Sequence, residues 1–265
     1  MLELNKIYCM DNIQGMQMLE NNSIDFVMTS PPYANQRKDI YGGIDEEIYP
    51  EFTKTWMNEV KRIIKPNGNV IINIRPNLKN GQISDYVLKT ILLLRNSGWG
   101  QCEELIWIKP DGAPLGSLNR PRRSYESLHW FSLNPRTCYC DVRANGQPSK
   151  RIGITSNKGF KAGYVNGVSE LREGIARCKD YVEVPVGTVD KSEYNTHPAQ
   201  YPEGLSDWTI KMLCPDNGTV LDPFCGSGTT VISCKNNDRN YIGFEISQEY
   251  CNIAEKRLED LNKTQ

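Results

Sequence analysis

Two short stretches of the sequence carry side chains that could take part in catalysis, and the first is "TSPPY", residues 29–33. It ends the predicted buried strand 25–29, where a helix would be the ordinary continuation. Proline has no N–H and a fixed φ, so a Pro-Pro step makes a stiff turn whose carbonyl groups stay outside helix and sheet pairing. The side chain of Ser30 and the carbonyl of Pro31 can accept hydrogen bonds, and Tyr33 offers an aromatic face. The alternative is a turn that only ends the strand, with Ser30 as a cap and Tyr33 in the core.

The second stretch is a glycine loop, "GTVLDPFCGSGTTVISC", with the order apolar strand, acid, Gly-x-Gly, helix. Glycines let the backbone turn sharply and approach a ligand closely, and a helix N-terminus presents free amides. The loop lacks the third glycine of the dinucleotide fingerprint, where Val231 stands, and it lacks the Gly-Lys-Ser/Thr of a phosphate loop.

Glu245 ends the predicted strand that follows the glycine loop. A carboxylate at the tip of that strand can accept hydrogen bonds from both hydroxyls of a ribose. Together the loop and the acid predict an adenosine-containing ligand without a pyrophosphate, and S-adenosylmethionine is such a ligand. The alternative role for Glu245 is that of an acid at a helix N-cap.

The elements that must position these residues alternate between strands and helices for most of the chain. This alternation predicts an α/β fold with a mostly parallel, doubly wound sheet. The segment Lys65-Pro66-Asn67-Gly68 is interpreted as the stop signal of the second helix. The predicted strands are Lys6–Met10, Asp25–Thr29, Asn69–Ile74, Glu103–Lys109, Leu128–Leu133, Thr219–Pro223 and Asn240–Ile246. The predicted helices are Ile13–Leu19, Tyr49–Ile64, Ile83–Asn96, Glu203–Leu213, one that begins near Gly228, and Gln248–Leu261.

The alternation breaks in residues 110–195, which are rich in Gly, Pro, Asn and Arg and contain one predicted strand. The whole chain has 31 basic and 32 acidic residues, a net charge of −1. Residues 109–161, however, contain ten Lys or Arg against three Asp or Glu, a local charge of +7. This asymmetry favours a recognition insert that contacts nucleic acid over an irregular surface excursion.

The nine cysteines are odd in number and scattered, in a chain without an N-terminal apolar segment or an apolar run long enough to span a membrane. The composition therefore predicts a cytoplasmic protein with reduced thiols and no membrane partner. Cys138-x-Cys140 is the only tight cysteine pair, and His129 and His197 are far apart in the sequence, so no metal site and no catalytic triad are predicted.

The two motifs resemble those of a known family. "TSPPY" and "LDPFCGSGTT" look like the catalytic and cofactor motifs of the S-adenosylmethionine-dependent DNA amino-methyltransferases of the beta class, the N4-cytosine/N6-adenine enzymes in which the catalytic motif comes first. The supporting pieces are "IYCMD", "RIIKPNGNVIINI", "ELIWIKP", "RRSYESLHWF" and "HPAQYPEGL", so the resemblance covers nearly the whole chain. It implies a Rossmann-like methyltransferase fold with a circularly permuted motif order. It also implies a catalytic half in residues 1–109, a basic segment with the target-recognition region in 110–195, and a cofactor-binding half in 196–265.

The resemblance assigns roles to individual residues. The catalytic set accepts hydrogen bonds from the target amino group and stacks a base extruded from the duplex; it is Ser30, Pro31, Pro32 and Tyr33. Asp11 is expected near the cofactor adenine, although it could equally be an N-cap for the following helix. The full cofactor-binding set is Asp11, Thr29, His197, Pro198, Asp222, Pro223, Phe224, Gly226, Ser227, Gly228, Thr229 and Glu245.

In the family, Ser-Pro-Pro-Tyr goes mostly with methylation of cytosine N4, and Asp or Asn at the serine position goes mostly with adenine N6. The resemblance therefore implies cytosine N4, while adenine N6 stays an alternative because a hydroxyl can accept a hydrogen bond from either amino group. Methylation of cytosine C5 typically needs a nucleophilic cysteine after a proline, and none of the 15 prolines precedes a cysteine.

The expected partner is double-stranded DNA, with Arg122, Arg123, Lys158 and Lys161 contacting its phosphates. A solvated basic loop is the alternative for these residues. We expect a monomer or a weak homodimer, and a restriction endonuclease as functional partner is left open. The other functions to be tested are a DNA-binding protein of the same fold without catalysis, and a methyltransferase that acts on RNA or protein.

Overall fold

The computed structural model describes residues 2–35, 43–110, 120–148, 175–186 and 201–264. The strands are β1 (Lys6–Cys9), β2 (Ile24–Thr29), β3 (Ile64–Ile74), β4 (Leu78–Lys79), β5 (Gln82–Ile83), β6 (Gly100–Ile108), β7 (Tyr125–Ser132), β8 (Tyr181–Glu183), β9 (Thr219–Asp222) and β10 (Asn240–Glu245). The helices are α1 (Asn12–Gln17), α2 (Tyr49–Ile63), α3 (Tyr86–Asn96), α4 (Glu203–Leu213), α5 (Thr229–Asn236) and α6 (Gln248–Thr264).

Eight of these strands form one sheet with the order β1-β10-β9-β2-β3-β7-β6-β8, and β4 and β5 form a separate hairpin. Along this order, the five strands β1, β10, β9, β2 and β3 are parallel to their neighbours, and β6 pairs parallel with β8. Within the described ranges, β7 is the one strand of this sheet that runs antiparallel to its neighbours, β3 and β6. The prediction of an α/β fold with a mostly parallel sheet is therefore confirmed.

Helices cover both faces of the sheet, and β2 shows why. All six of its residues are buried, as expected for a parallel strand packed on both sides. Because successive side chains point to opposite faces, Val27 belongs to one hydrophobic cluster, while Phe26 and Met28 belong to the other. The first cluster includes Trp56 of α2, and the second includes Leu205 of α4. The core is thus two apolar layers separated by the sheet.

The prediction that the second helix ends at the stop signal of residues 65–68 is confirmed, but the next strand, expected to begin at Asn69, begins five residues earlier. The helix α2 ends at Ile63, but the following residues 64–74 are extended and form β3. Neighbouring segments hold this polar stretch straight, since Lys65 Nζ donates to Asp25 Oδ1 at 2.8 Å. A Cβ on Gly68 would lie only 2.9 Å from the carbonyl oxygen of Asp25, so the close approach of the two strands requires glycine there.

Two further sequence predictions need correction. Residues 110–195 were expected to contain one strand, and their described part contains both β7 and the three-residue β8, which is too short for periodicity to reveal. The helix expected from Ile83 begins at Tyr86, because Ile83 lies in the β4–β5 hairpin. The hairpin turns through Asn80 and Gly81, both at positive φ, and Asn-Gly is a strong signal for such a turn.

Candidate active site

A cavity of about 600 Å³ lies at the edge of the sheet where the parallel strands end, and it brings the two predicted motifs together. The carboxyl ends of parallel strands in an open α/β sheet form the usual ligand crevice. Ser30 after β2, Gly226 after β9 and Glu245 at the end of β10 all line this one cavity. Other lining residues from the two motifs are Pro31, Pro32, Tyr33, Pro223, Phe224, Cys225, Ser227 and Thr229.

At the TSPPY end, hydrogen bonds from β3 and β7 fix the two hydroxyl groups. The Ser30 hydroxyl donates to the carbonyl oxygen of Asn73 at 3.3 Å. The Tyr33 hydroxyl lies 3.0 Å from Glu126 Oε2 and 3.4 Å from Asn73 Oδ1. Burial and the nearby Glu126 carboxylate raise the pKa of Tyr33 well above its usual value, so its phenol stays protonated. The Tyr33 ring also packs against the core cluster, so both interpretations made from the sequence describe part of its environment.

At the other end, Glu245 organises the glycine loop. Its Oε2 accepts the Gly226 N–H at 2.8 Å, and its Oε1 accepts the Ser247 N–H at 2.8 Å. Burial raises the pKa of Glu245, while these backbone hydrogen bonds act in the opposite direction. Gly226 and Gly228 have φ values of 52° and 87°, in the left-handed region that favours glycine. The loop therefore depends on residues of these types at these positions.

Asp222 supports the loop from behind the cavity wall. It is 2% exposed, and its carboxylate accepts hydrogen bonds from Thr29 Oγ1 at 2.8 Å, from the Phe224 N–H at 3.1 Å and from the hydroxyls of Tyr201 and Thr230. Burial raises the pKa of Asp222 to about 6, although the four hydrogen bonds lower it. Asp222 thus joins the end of β2 to the glycine loop.

The profile of the N6/N4 family, described as DNA methylase, matches residues 24–256 of the chain. The chain belongs to this DNA methylase family. The matched region includes the TSPPY motif, the glycine loop and Glu245, and the family prediction made from these motifs is confirmed.

Relatives and solved structures agree with this membership. The type II methyltransferase M.ScaI of Streptomyces caespitosus is 28% identical over 258 residues, which cover 96% of this chain and 81% of that protein. The type II methyltransferase M.HpaI of Haemophilus parainfluenzae is 28% identical, with 96% and 74% covered. The structure of the PvuII DNA methyltransferase matches with a TM-score of 0.74 at 22% identity, covering 95% of this chain and 85% of that one. The complex of M1.HpyAVI with S-adenosylmethionine matches with a TM-score of 0.60 at 22% identity, covering 95% and 98%. The chain is thus a DNA methyltransferase.

The residues predicted to bind the cofactor in this methyltransferase fall into three groups. Most of them line the cavity, as given above for the glycine loop. Thr29, Asp222 and Gly228 lie behind its wall rather than among the lining residues. His197 and Pro198 lie outside the described residues.

Asp11 has both of the environments that the sequence allowed. Its Oδ1 accepts the Gln14 N–H at 3.0 Å and so caps α1, and it also lines the cavity of the methyltransferase. The half-buried Phe224 contributes an aromatic wall nearby, where it packs against Trp56 with ring centroids 5.5 Å apart. Capping therefore does not remove Asp11 from the candidate site.

Several residues at the TSPPY end of the cavity were not singled out from the sequence. Asn73 and Arg75 lie at the end of β3, Lys109 follows β6, and Glu126 is near the start of β7, yet all line the cavity with Ser30. Glu126 reaches this edge because β7 is antiparallel, so its start lies beside the ends of β3 and β6. The segment "ELIWIKP" pointed to Lys109, but nothing in the sequence signalled that Glu126 would meet it.

The arginines predicted to contact DNA lie in the segment that leads into β7. Arg122 Nη2 donates to the Pro110 carbonyl at 3.1 Å, and Arg123 Nη2 donates to the Pro76 carbonyl at 2.8 Å. These bonds attach the segment to residues that follow β6 and β3 at the cavity edge. Lys158 and Lys161 lie outside the described residues.

The described residues contain neither a cluster of metal ligands nor a membrane-spanning helix. No group of three or more His, Cys, Asp or Glu in those ranges is arranged to hold a metal ion. None of the described helices is both long enough and apolar enough to cross a membrane.

Proposed function

We propose that this methyltransferase transfers a methyl group from S-adenosylmethionine to the N4 amino group of a cytosine that has left the base stack of a short duplex site. The observation that carries the proposal is that the Ser-Pro-Pro-Tyr turn and the glycine loop line one cavity of about 600 Å³. The PvuII enzyme, whose structure has the same fold, is named as cytosine-N4-specific, and this supports the choice of base.

At the TSPPY end of the cavity, Ser30 and Pro31 have the hydrogen-bond acceptors that methylation of an amino group needs. The lone pair of an exocyclic amino group is delocalised into the ring. Acceptors of hydrogen bonds from its N–H groups help the nitrogen to become tetrahedral and to attack the methyl carbon. A hydroxyl has one donor and two acceptor lone pairs. Because the Ser30 hydroxyl donates to the Asn73 carbonyl, its acceptor side is held in a fixed direction within the cavity wall. Preorganised acceptors of this kind can supply a large part of the rate enhancement.

At the other end, the residues fit S-adenosylmethionine. Each oxygen of the Glu245 carboxylate accepts one backbone N–H and keeps a lone pair for a ribose hydroxyl. Phe224 offers an apolar ring to the adenine, and Asp11 offers an acceptor. His197 and Pro198 complete this half in the proposal. When bound, the cofactor supplies the electrophilic sulfonium methyl group.

The DNA side of the proposal rests on charge. Residues 110–195 would form the target-recognition region between the catalytic half, 1–109, and the cofactor half, 196–265. Arg122, Arg123, Lys158 and Lys161 are assigned to phosphates. The enzyme would act as a monomer or a weak homodimer. The relatives M.ScaI and M.HpaI are named type II methyltransferases, which supports a restriction endonuclease of the same site as functional partner.

The test is the identity of the methylated nucleoside. Plasmid DNA treated with the enzyme and S-adenosylmethionine is digested to nucleosides, which are separated by chromatography and identified by mass. We expect N4-methyldeoxycytidine. N6-methyldeoxyadenosine would overturn the assignment of the base and leave the family intact, and no methylated nucleoside with intact cofactor binding would favour a DNA-binding protein without catalysis. Sequencing of modified bases in the same DNA gives the duplex site.

A further inference from the structure

Lys109 places a positive charge inside the cavity, and neither the motifs nor the family match gives it a role. Its side chain is only 12% exposed and lines the cavity together with Ser30. Its ammonium group binds the Glu126 carboxylate and lies 4.1 Å from the centroid of the Trp107 ring. Burial lowers the pKa of Lys109, and the charge of Glu126 opposes this shift. Such a buried cation is costly unless it is paired or used for binding.

Glu126 connects this lysine to the catalytic turn. The carboxylate is 7% exposed, with Oε1 bound to Lys109 and Oε2 accepting the Tyr33 hydroxyl at 3.0 Å. Arg75 Nη1 also lies 3.6 Å from Oε1. Two cations therefore face one carboxylate, and this end of the cavity keeps an excess of one positive charge and of hydrogen-bond donors. An apolar or positively charged group would gain little from these donors, but a group that carries acceptors would gain hydrogen bonds.

The ammonium group of Lys109 has more N–H donors than its described neighbours use. An ammonium group has three N–H donors. Among the contacts of the described residues, one donor goes to Glu126, and the Trp107 ring faces a second side of the group. The third donor is directed to neither partner. Trp107 itself is fixed, because its Nε1 donates to the Val184 carbonyl at 2.8 Å.

Cytosine and adenine differ in what they offer to such a donor. Next to the amino group, cytosine presents the acceptor N3 and then the carbonyl oxygen O2. Adenine presents the acceptor N1 and then a C–H group, which cannot accept a hydrogen bond. A donor aimed at the second position therefore favours cytosine, and a donor left unpaired against the C–H of adenine is penalised.

We propose that Lys109 donates a hydrogen bond to O2 of the extruded cytosine, and that Glu126 is the positioning residue that holds both this ammonium group and the Tyr33 hydroxyl. The inference rests on the proposed cytosine specificity. It assigns the recognition of the base to β6 and β7, separate from the residues that accept the amino protons.

The test compares the binding of two duplexes that contain the recognition site identified by sequencing of modified bases. The two duplexes differ only at the target nucleoside. One carries pyrimidin-2-one, which keeps N3 and O2 and has no amino group to react, and the other carries a phenyl ring, which keeps the shape and loses the polar atoms. Affinities are measured with S-adenosylhomocysteine present. The wild-type enzyme should prefer pyrimidin-2-one by about 10- to 100-fold, the size of a hydrogen bond to a charged group. Lys109→Met should lose most of this preference, and Lys109→Arg should retain part of it.

Two further variants separate recognition from folding. Lys179 lies 4.6 Å from the centroid of the Tyr181 ring but is exposed and does not line the cavity, so Lys179→Met is a matched control that should keep the wild-type preference. Glu126→Gln keeps the size of the side chain and removes the charge that holds Lys109. It should reduce the preference for pyrimidin-2-one while the affinity for S-adenosylmethionine, measured by calorimetry, stays the same.

The outcomes distinguish this inference from the proposed function. If the wild-type enzyme makes N4-methyldeoxycytidine and Lys109→Met keeps the full preference for pyrimidin-2-one, the role of Lys109 is refuted and the proposed function stands. If the product is N6-methyldeoxyadenosine, the assignment of the base has failed first, and the role at O2 fails with it. A lost preference in Lys109→Met, with normal binding of S-adenosylmethionine, supports the inference.

Discussion

The two ends of the cavity are built in different ways. At the glycine-loop end, one carboxylate, Glu245, accepts N–H groups of the backbone, and Asp222 accepts a backbone N–H together with three hydroxyls. At the TSPPY end, charged and polar side chains from three strands meet each other, with Glu126 bound by Lys109 and Tyr33. At the first end, two carboxylates hold the backbone of the glycine loop, and we call this arrangement the cradle. The second end is a network of side chains. The N6/N4 family is named for two target amino groups, and side chains that can be exchanged singly suit a base that differs within a family.

The largest expected effect separates chemistry from cofactor binding. Ser30→Ala removes the hydroxyl acceptor and should lower kcat by about 100- to 1,000-fold, the size found for one preorganised polar group. The affinity for S-adenosylmethionine, measured by calorimetry, should not change. Ser97→Ala is the control, because the Ser97 hydroxyl donates to the Leu93 carbonyl at the end of α3 and does not line the cavity. If Ser30→Ala kept full turnover, the difference in role between the two ends would disappear.

Glu245→Ala should have the reverse effect, since it should weaken cofactor binding and leave kcat nearly unchanged. Removing the carboxylate takes away two backbone hydrogen bonds of the loop and the acceptors for the ribose, so the Kd for S-adenosylmethionine should rise by about 10- to 100-fold. At saturating cofactor, kcat should change little. Glu249→Ala, in the exposed first turn of α6, should leave both values as they are. A loss confined to kcat would show that the ribose assignment is wrong.

The pH dependence of stability tests the buried carboxylate of Asp222, which belongs to the glycine-loop end. The folded-state pKa of Asp222 is raised from 3.8 to about 6, so the folded protein binds more protons than the unfolded chain between these values. The stability contributed by this group is therefore full below about pH 3.8 and is lost as the pH rises through 6. Between pH 7 and pH 5 the free energy of unfolding should gain about 1 kcal/mol from this group. Urea unfolding of wild type and Asp222→Asn without cofactor at both pH values measures it, and an equal pH response in the two proteins would contradict the assignment.

The smallest expected effect concerns DNA outside the cavity. Arg122→Ala should weaken binding by about fivefold at ~0.15 M salt for one lost phosphate contact, equally for specific and nonspecific duplexes. The slope of log affinity against log salt should fall by about 1. Arg136→Ala is the matched control, since Arg136 is exposed beyond the far end of β7. A loss restricted to the specific duplex would assign Arg122 to a base instead of the backbone.

The cradle could be predicted from the sequence because its parts are close along the chain or belong to continuous motifs. Gly226 and Gly228 need positive φ, and Glu245 ends the next strand, so residue type and order were sufficient. The backbone hydrogen bonds of Glu245 could not be read in this way, because they depend on how the loop folds back over β10.

The side-chain network could not be predicted, because it depends on strand order. Glu126 and Tyr33 are 93 positions apart, and they meet only because β7 enters the sheet antiparallel between β3 and β6. The polar stretch 65–68 ends α2 as predicted, but its place in β3 could not be predicted for a related reason, since long-range contacts with Asp25 keep it extended. The three residues of β8 are too few to leave a periodic signal.

The antiparallel course of β7 has a consequence for how relatives could acquire new target sites. The chain leaves β6 and returns to β7 at the same border of the cavity, and the Lys109 N–H donates to the Ser124 carbonyl at 2.7 Å, which closes that excursion at its base. Residues inserted or exchanged within the excursion need not disturb the pairing of the strands on either side. Under the proposed assignment of target recognition to residues 110–195, such changes would alter the DNA sequence that an enzyme recognises and leave its catalytic residues in place.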